Sequence, residues 1–79
     1  MPKLPSIKGK QLLKILYFLG YRLDHIRGSH HIVRNETGKK ATIQVHGNSE
    51  IPKGTLLGIL FDLDISKEYI VKLSKNKKL

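Results

Sequence analysis

The side chains best suited to chemistry near neutral pH are four histidines: His25, His30, His31 and His46. An unperturbed imidazole has a pKa of about 6.5 and can take up or release a proton at physiological pH. Four histidines could also indicate zinc, but no H-x₃₋₅-H pair lies clearly on one predicted face, so we expect no metal site. Ser29 lacks an evident Asp-His relay, so its hydroxyl is predicted to cap a connection rather than to act as a nucleophile.

The elements that must position these residues follow from the spacing of the apolar side chains. A first helix is predicted where apolar residues recur at i, i+3, i+4 and i+7, and Gly20 should end it. These residues are Leu12, Ile15, Leu16 and Leu19. The period then changes to two, which predicts strands over 21–28, 30–34 and 41–46, with turn residues at 35–38 between the last two. The three strands form an antiparallel meander.

Two further helices are predicted after the strands. Pro52 suits a first helical position, and the i, i+3, i+4, i+7 pattern returns in Leu56, Ile59, Leu60 and Leu63. Ser66 could cap a short last helix that carries Tyr69, Ile70 and Leu73. The sequence therefore predicts one α+β domain over 1–79, ordered α-β-β-β-α with a short C-terminal helix and a basic tail at 74–79 that frays. Both long helices should cover one face of the sheet and leave the other solvated.

The alternation in the third strand indicates which residues lie on the solvated face. Ile43 and Val45 must point to the helices, which leaves Thr42, Gln44 and His46 outward. If Val33 of the second strand points to the core, His31 shares its side. The residues on the opposite side are then His30, Ile32 and Arg34. His25 and His31 are predicted to be packing or edge residues. A face with histidines, an arginine and amide or hydroxyl groups suits a phosphodiester.

Composition limits the class of protein and of partner. The chain has 79 residues and 39% hydrophobic content, which gives room for one modest core. Fifteen Lys and Arg against six Asp and Glu give a formal charge of +9, so the partner should be polyanionic. Nucleic acid fits best, while an anionic membrane surface or an acidic protein also fits. The chain has no cysteine and no apolar run of the roughly 20 residues that span a bilayer, so we expect a cytoplasmic protein.

Several short motifs resemble one family in their order along the chain. They are Leu4-Pro5-Ser6, Gly9-Lys10, Gly20-Tyr21, Gly28-Ser29-His30-His31, Val45-His46-Gly47-Asn48 and Lys53-Gly54-Thr55-Leu56. Together they span almost the whole chain, and the set resembles the HicA (YcfA-like) family of toxins from type II toxin-antitoxin systems. The resemblance implies a fold like the double-stranded-RNA-binding domain, an mRNA interferase activity and neutralisation by a cognate HicB antitoxin. It also places the family's essential histidine at His30.

The implied reaction needs no metal, because RNA carries its own nucleophile. A base that removes the 2′-hydroxyl proton lets that oxygen attack the adjacent phosphorus, which gives a 2′,3′-cyclic phosphate and a free 5′-hydroxyl. His30 is the candidate base. The candidate RNA contacts are Arg27, Gly28, Ser29, Arg34, Lys39, Gln44 and His46, and no cofactor is expected. His46 or water could protonate the leaving oxygen, which has no assigned donor.

Two alternatives to an enzyme remain open at this point. A non-catalytic RNA-binding module would use the same fold and charge, because such domains bind through shape and phosphate contacts. A protein-interaction module could instead dock an acidic partner on the basic surface. Binding to RNA without cleavage would separate both alternatives from a ribonuclease.

Overall fold

The computed structural model describes residues 4–75. Its elements are α1 (Gly9–Phe18), β1 (Arg22–Arg27), β2 (His30–Arg34), β3 (Lys40–Gln44), α2 (Lys53–Leu63) and α3 (Lys67–Ser74). This order confirms the predicted α-β-β-β-α arrangement with a C-terminal helix. Most of the tail predicted to fray lies outside the described residues, and Ser74 still belongs to α3. Within residues 4–75, none of the helices is long and apolar enough to cross a membrane.

The three strands form one antiparallel sheet in the order β1-β2-β3, and local chemistry shapes both turns. Gly28 has a φ of +57° and Ser29 completes a two-residue turn, as in hairpins that need glycine at the first turn position. In the second turn, the side-chain oxygen of Asn35 accepts hydrogen bonds from the backbone N–H groups of Thr37 (3.1 Å) and Lys39 (2.8 Å). Both connections lie where the sequence predicts them.

The helix ends follow the residue types at their caps. Gly20 has a φ of +97°, and the N–H groups of Gly20 and Tyr21 donate to the carbonyls of Tyr17 and Leu16, which is the Schellman pattern. The Ser66 hydroxyl accepts a hydrogen bond from the Tyr69 N–H at 3.1 Å, which confirms the predicted cap of α3. Pro52 directly precedes α2 instead of being its first helical residue.

The core lies between one face of the sheet and the helices. Its largest fully buried side chains are Ile7, Leu12, Ile15, Leu16, Val33, Ile43, Leu56 and Ile70. The helices α1 and α2 pack chiefly against β3. As a result, Leu23 and Ile26 of β1 remain 43% and 51% exposed although they share the helix-facing side of the sheet. β1 is therefore an edge strand with little support beneath it.

A β-bulge in β1 changes which residues share a face. Leu23 lies opposite Val33 and His25 lies opposite Ile32, so Asp24 is an extra residue in the strand. Regular alternation through Leu23 would turn His25 toward the helices, whereas the bulge returns it to the solvated side. The prediction that no H-x₃₋₅-H pair lies clearly on one face is therefore wrong, because His25 and His30 both lie on the solvated face.

The end of β3 also differs from the sequence prediction. The strand ends at Gln44 instead of continuing to His46, although the Val45 N–H still donates to the Ser29 carbonyl at 2.8 Å. The start of α1 is pressed against this end of β3. A Cβ atom on Gly9 would lie 2.5 Å from the Gln44 carbonyl oxygen, so only glycine fits there without displacement of the backbone.

Candidate functional site

The solvated side of the sheet, hereafter the open face, is built from three rows of directly opposed residues. The rows are Arg22-Arg34-Lys40, His25-Ile32-Thr42 and Arg27-His30-Gln44. Four of these nine side chains are cationic, and all four are exposed. The open face therefore carries four of the fifteen Lys and Arg residues of the chain.

His30 lies at the start of β2, directly after the Gly28–Ser29 turn. It is exposed, and its neighbours across the two adjacent strands are Arg27 and Gln44. An imidazole in this position can meet a ligand while a guanidinium and an amide stand on either side of it. Chemically, this arrangement can support proton transfer next to a phosphate group.

A shallow cleft of about 310 Å³ surrounds His30 on the open face. It is lined by His25, Arg27, His30, Ile32, Lys40 and Thr42. Ile32 forms part of the cleft and is only 8% exposed. The cleft therefore combines two imidazoles and two cationic groups around an apolar patch.

Asp24, the extra residue of the bulge, connects two side chains of the open face. Its Oδ2 accepts a hydrogen bond from His25 Nδ1 at 3.0 Å and lies 3.6 Å from Arg34 Nη2. The hydrogen bond from His25 and the positive charge of Arg34 lower the pKa of the Asp24 carboxyl below its usual value. The carboxylate thus stays ionised at neutral pH and fixes the orientation of the His25 ring.

His46 lies just beyond β3 and is held by Gln44. The Gln44 Nε2 amide group lies 2.8 Å from His46 Nε2, a contact in which the amide donates and the ring nitrogen accepts. Ser29 Oγ lies 3.5 Å from the same nitrogen. His46 lines a separate cleft together with residues 49–52 of the following loop.

The remaining predicted residues lie in different places. Arg27, Arg34 and Gln44 are on the open face, and Gly28 and Ser29 form the turn beside His30. Lys39 is not brought to this group: its Nζ lies 3.5 Å from the Leu63 carbonyl and 3.7 Å from Asp64 Oδ2, at the C-terminal end of α2.

His31 points to the opposite side of the sheet from His30, as predicted. It lies in the row of Ile26 and Ile43, is half-buried, and its Nδ1 is 3.4 Å from the Ser29 carbonyl oxygen. In this position it packs against the strands and helps to hold the turn. It is separated from the open face by the sheet itself.

Three cationic or imidazole-bearing members of the open face were not predicted as site residues: Arg22, His25 and Lys40. The sequence pattern indicated the side of two of them. Arg22 follows buried Tyr21 and so points to the opposite face, and Lys40 lies two residues before outward Thr42 and so shares its face. No comparable signal existed for His25, since its side depends on the bulge. Within residues 4–75, no group of three or more His, Asp or Glu side chains is placed to hold a metal ion.

The fold and the open face define a small α+β protein with a basic, imidazole-bearing sheet surface. The family model described as "HicA toxin of bacterial toxin-antitoxin" matches residues 9–65, which include the whole sheet and α2. The chain belongs to this family of toxins, and its partner is an antitoxin. A sequence comparison with curated proteins found no match.

Proposed function

We propose that this toxin is a metal-independent endoribonuclease, an mRNA interferase, in which His30 is the general base. The observation that carries the proposal is the position of His30, exposed in a basic cleft between Arg27 and Gln44. Family membership supports the toxin role, and the charge of the open face supports a polyanionic substrate.

In the proposed reaction, the His30 imidazole removes the proton of a ribose 2′-hydroxyl. The 2′ oxygen then attacks the adjacent phosphorus, the bond from phosphorus to the 5′ oxygen breaks, and a 2′,3′-cyclic phosphate forms. Negative charge develops on the phosphoryl oxygens during the attack. Arg27, directly opposite His30, and the backbone N–H groups of the Gly28–Ser29 turn are the proposed donors for that charge.

The rest of the open face would position the RNA backbone. Arg22, Arg34 and Lys40 form a cationic row four residues along β2 from His30, a spacing of about 13 Å on a pleated sheet. Gln44 would contact the ribose or a base edge next to the cleaved bond.

The test is incubation of the purified protein with mixed-sequence RNA in the presence of EDTA, followed by mapping of the new ends. We expect 2′,3′-cyclic phosphate and 5′-hydroxyl ends, because the nucleophile belongs to the substrate. DNA of the same sequence should bind but stay intact, and a single 2′-deoxy substitution at the cleavage site should block cleavage there. Cleavage of DNA at a comparable rate, or RNA products with 5′-phosphate ends, would contradict the mechanism.

The net charge of +9 favours one other candidate, a non-catalytic RNA-binding module. Both candidates predict binding that weakens steeply with salt, because lysine and arginine release counterions from phosphate. Only the enzyme predicts new RNA ends. Salt-sensitive binding without cleavage by the wild-type protein would favour the module.

The antitoxin is proposed to cover the open face. A surface with four cationic side chains calls for an acidic contact surface on the partner, and burial of His30 would exclude RNA from the cleft. RNA and antitoxin should therefore compete for the toxin in a binding assay. A complex in which His30 stays accessible to RNA would contradict this arrangement.

A further inference from the structure

The bulge in β1 brings a second imidazole into the cleft that holds His30. We propose that His25 is the general acid that protonates the leaving 5′ oxygen, with Asp24 as the residue that positions it. This inference rests on the proposed function, since it completes the same reaction. For protonation of the leaving 5′ oxygen, the sequence suggested only His46 or water as the donor.

The register supports the assignment. Arg27 is opposite His30 and His25 is opposite Ile32, so His25 and His30 are diagonal neighbours on adjacent strands. Diagonal neighbours of an antiparallel pair lie about 7 to 8 Å apart. Two imidazoles at that separation can stand on either side of one phosphodiester group, one near the attacking oxygen and one near the leaving oxygen. Both line the same cleft.

The contacts of His25 suit an acid. Its Nδ1–H donates to Asp24 Oδ2 at 3.0 Å, which leaves Nε2 free to carry the second proton of an imidazolium. Asp24 stabilises that charged form, while the cationic side chains of Arg27, Arg34 and Lys40 on the same face oppose it. His46 differs in this respect, because its Nε2 atom accepts a hydrogen bond from Gln44.

The proton balance of the reaction is then complete. His30 receives the proton of the 2′-hydroxyl and becomes an imidazolium. The bond between the 2′ oxygen and phosphorus forms while the bond to the 5′ oxygen breaks, and His25 gives its Nε2 proton to that oxygen. The products are the cyclic phosphate, the 5′-hydroxyl, protonated His30 and neutral His25. Proton exchange with water restores both rings.

The test compares ordinary RNA with RNA in which sulfur replaces the 5′ oxygen at the cleavage site. A thiolate leaves without protonation, so this substrate does not need an acid. On ordinary RNA, His25→Ala and His25→Gln should each slow cleavage by a factor on the order of 10² to 10⁴. On the sulfur-substituted RNA, both variants should cleave at close to the wild-type rate. His30→Ala, which lacks the base, should remain slow on both substrates.

The dependence on pH gives a second readout. Wild-type kcat/KM should rise and then fall with increasing pH, since one imidazole must be neutral and the other protonated. The fall at high pH should disappear in His25→Ala. For the positioning role, Asp24→Asn should move that high-pH limb to lower pH, because the imidazolium loses its carboxylate partner.

The outcomes separate this inference from the proposed function. Wild-type cleavage that His25→Ala and His25→Gln leave unchanged would overturn the role of His25 while the ribonuclease proposal stands. A large loss of rate that the sulfur substrate does not restore would also overturn it, since the defect would then not lie in protonation. No cleavage of any RNA by the wild-type protein would overturn both proposals. The variants are at an exposed site, and circular dichroism would verify that they fold.

Discussion

The strands β1 and β3 flank β2 in the same sheet, yet their side chains alternate between the two faces regularly only in β3. In β3, exposed and buried residues alternate without interruption, because α1 and α2 press on one of its faces. In β1 every residue is exposed, and the strand contains a bulge. Burial enforces strict alternation, and a strand without a helix beneath it can take an extra residue at little cost in packing. In this protein the less supported strand supplies two of the four cationic side chains of the open face and the second imidazole of the cleft.

The largest expected effect concerns His30, which belongs to β2, the strand between β1 and β3. His30→Ala should lower RNA cleavage by a factor of about 10² to 10⁴, because it removes the proposed base. The free energy of unfolding should change by only about 0.5 kcal/mol or less, because the side chain is on the exposed face. The measurements are single-turnover cleavage and urea unfolding, and growth toxicity should disappear with the activity.

The matched control for this variant is His31→Ala on the other face of β2. It removes an imidazole from the adjacent position and should retain cleavage per folded molecule, although it can lower stability because His31 is half-buried. Equal cleavage by His30→Ala and wild type would mean that the assigned base is wrong.

The second effect compares β3 with β1 directly, through two isoleucines of one row. Ile43→Ala should lower the free energy of unfolding by about 2 to 5 kcal/mol, as for buried large-to-small substitutions, because Ile43 is 0% exposed. Ile26→Ala should cost roughly 1 kcal/mol or less, because Ile26 is 51% exposed. Chemical denaturation of both variants measures the difference. Equal costs would show that β1 is supported as well as β3.

The third effect tests the contact between α1 and the end of β3. Gly9→Ala should destabilise the fold by about 1 to 3 kcal/mol, since its Cβ would stand 2.5 Å from the Gln44 carbonyl oxygen and 3.1 Å from Val45 Cα. Gly54→Ala is the control, because no atom lies within 4 Å of a Cβ at that helical position. The measurement is thermal unfolding, and a Gly9→Ala variant as stable as Gly54→Ala would contradict the close approach.

The smallest effect concerns the bulge and its carboxylate. The pKa of Asp24 is lowered in the folded state by the hydrogen bond from His25 and by Arg34, so its contribution to stability is present above the unfolded pKa of about 3.9. That contribution is lost as the pH falls below this value through the folded pKa. Asp24→Asn should therefore reduce the loss of stability between neutral pH and about pH 3. Parallel stability curves for wild type and variant would argue against a stabilising role of the carboxylate.

Much of the site could be predicted where the sheet is supported. The faces of His30, Arg34 and Gln44 follow from alternation with buried Val33 and Ile43, and the structure agrees. Lys39 shows the limit of this reasoning. Its charge suggested a phosphate contact, whereas the tertiary structure places it at the end of α2.

The sequence by itself determined the order of the elements, the turns at Gly28 and Asn35, the helix end at Gly20 and the sides of β2 and β3. These features depend on local backbone preferences and on a hydrophobic period that burial maintains. Only the tertiary structure decided that His25 joins His30 on the open face. The bulge at Asp24 arises where an edge strand lies beyond the helices, and no apolar pattern within β1 is strong enough to reveal it.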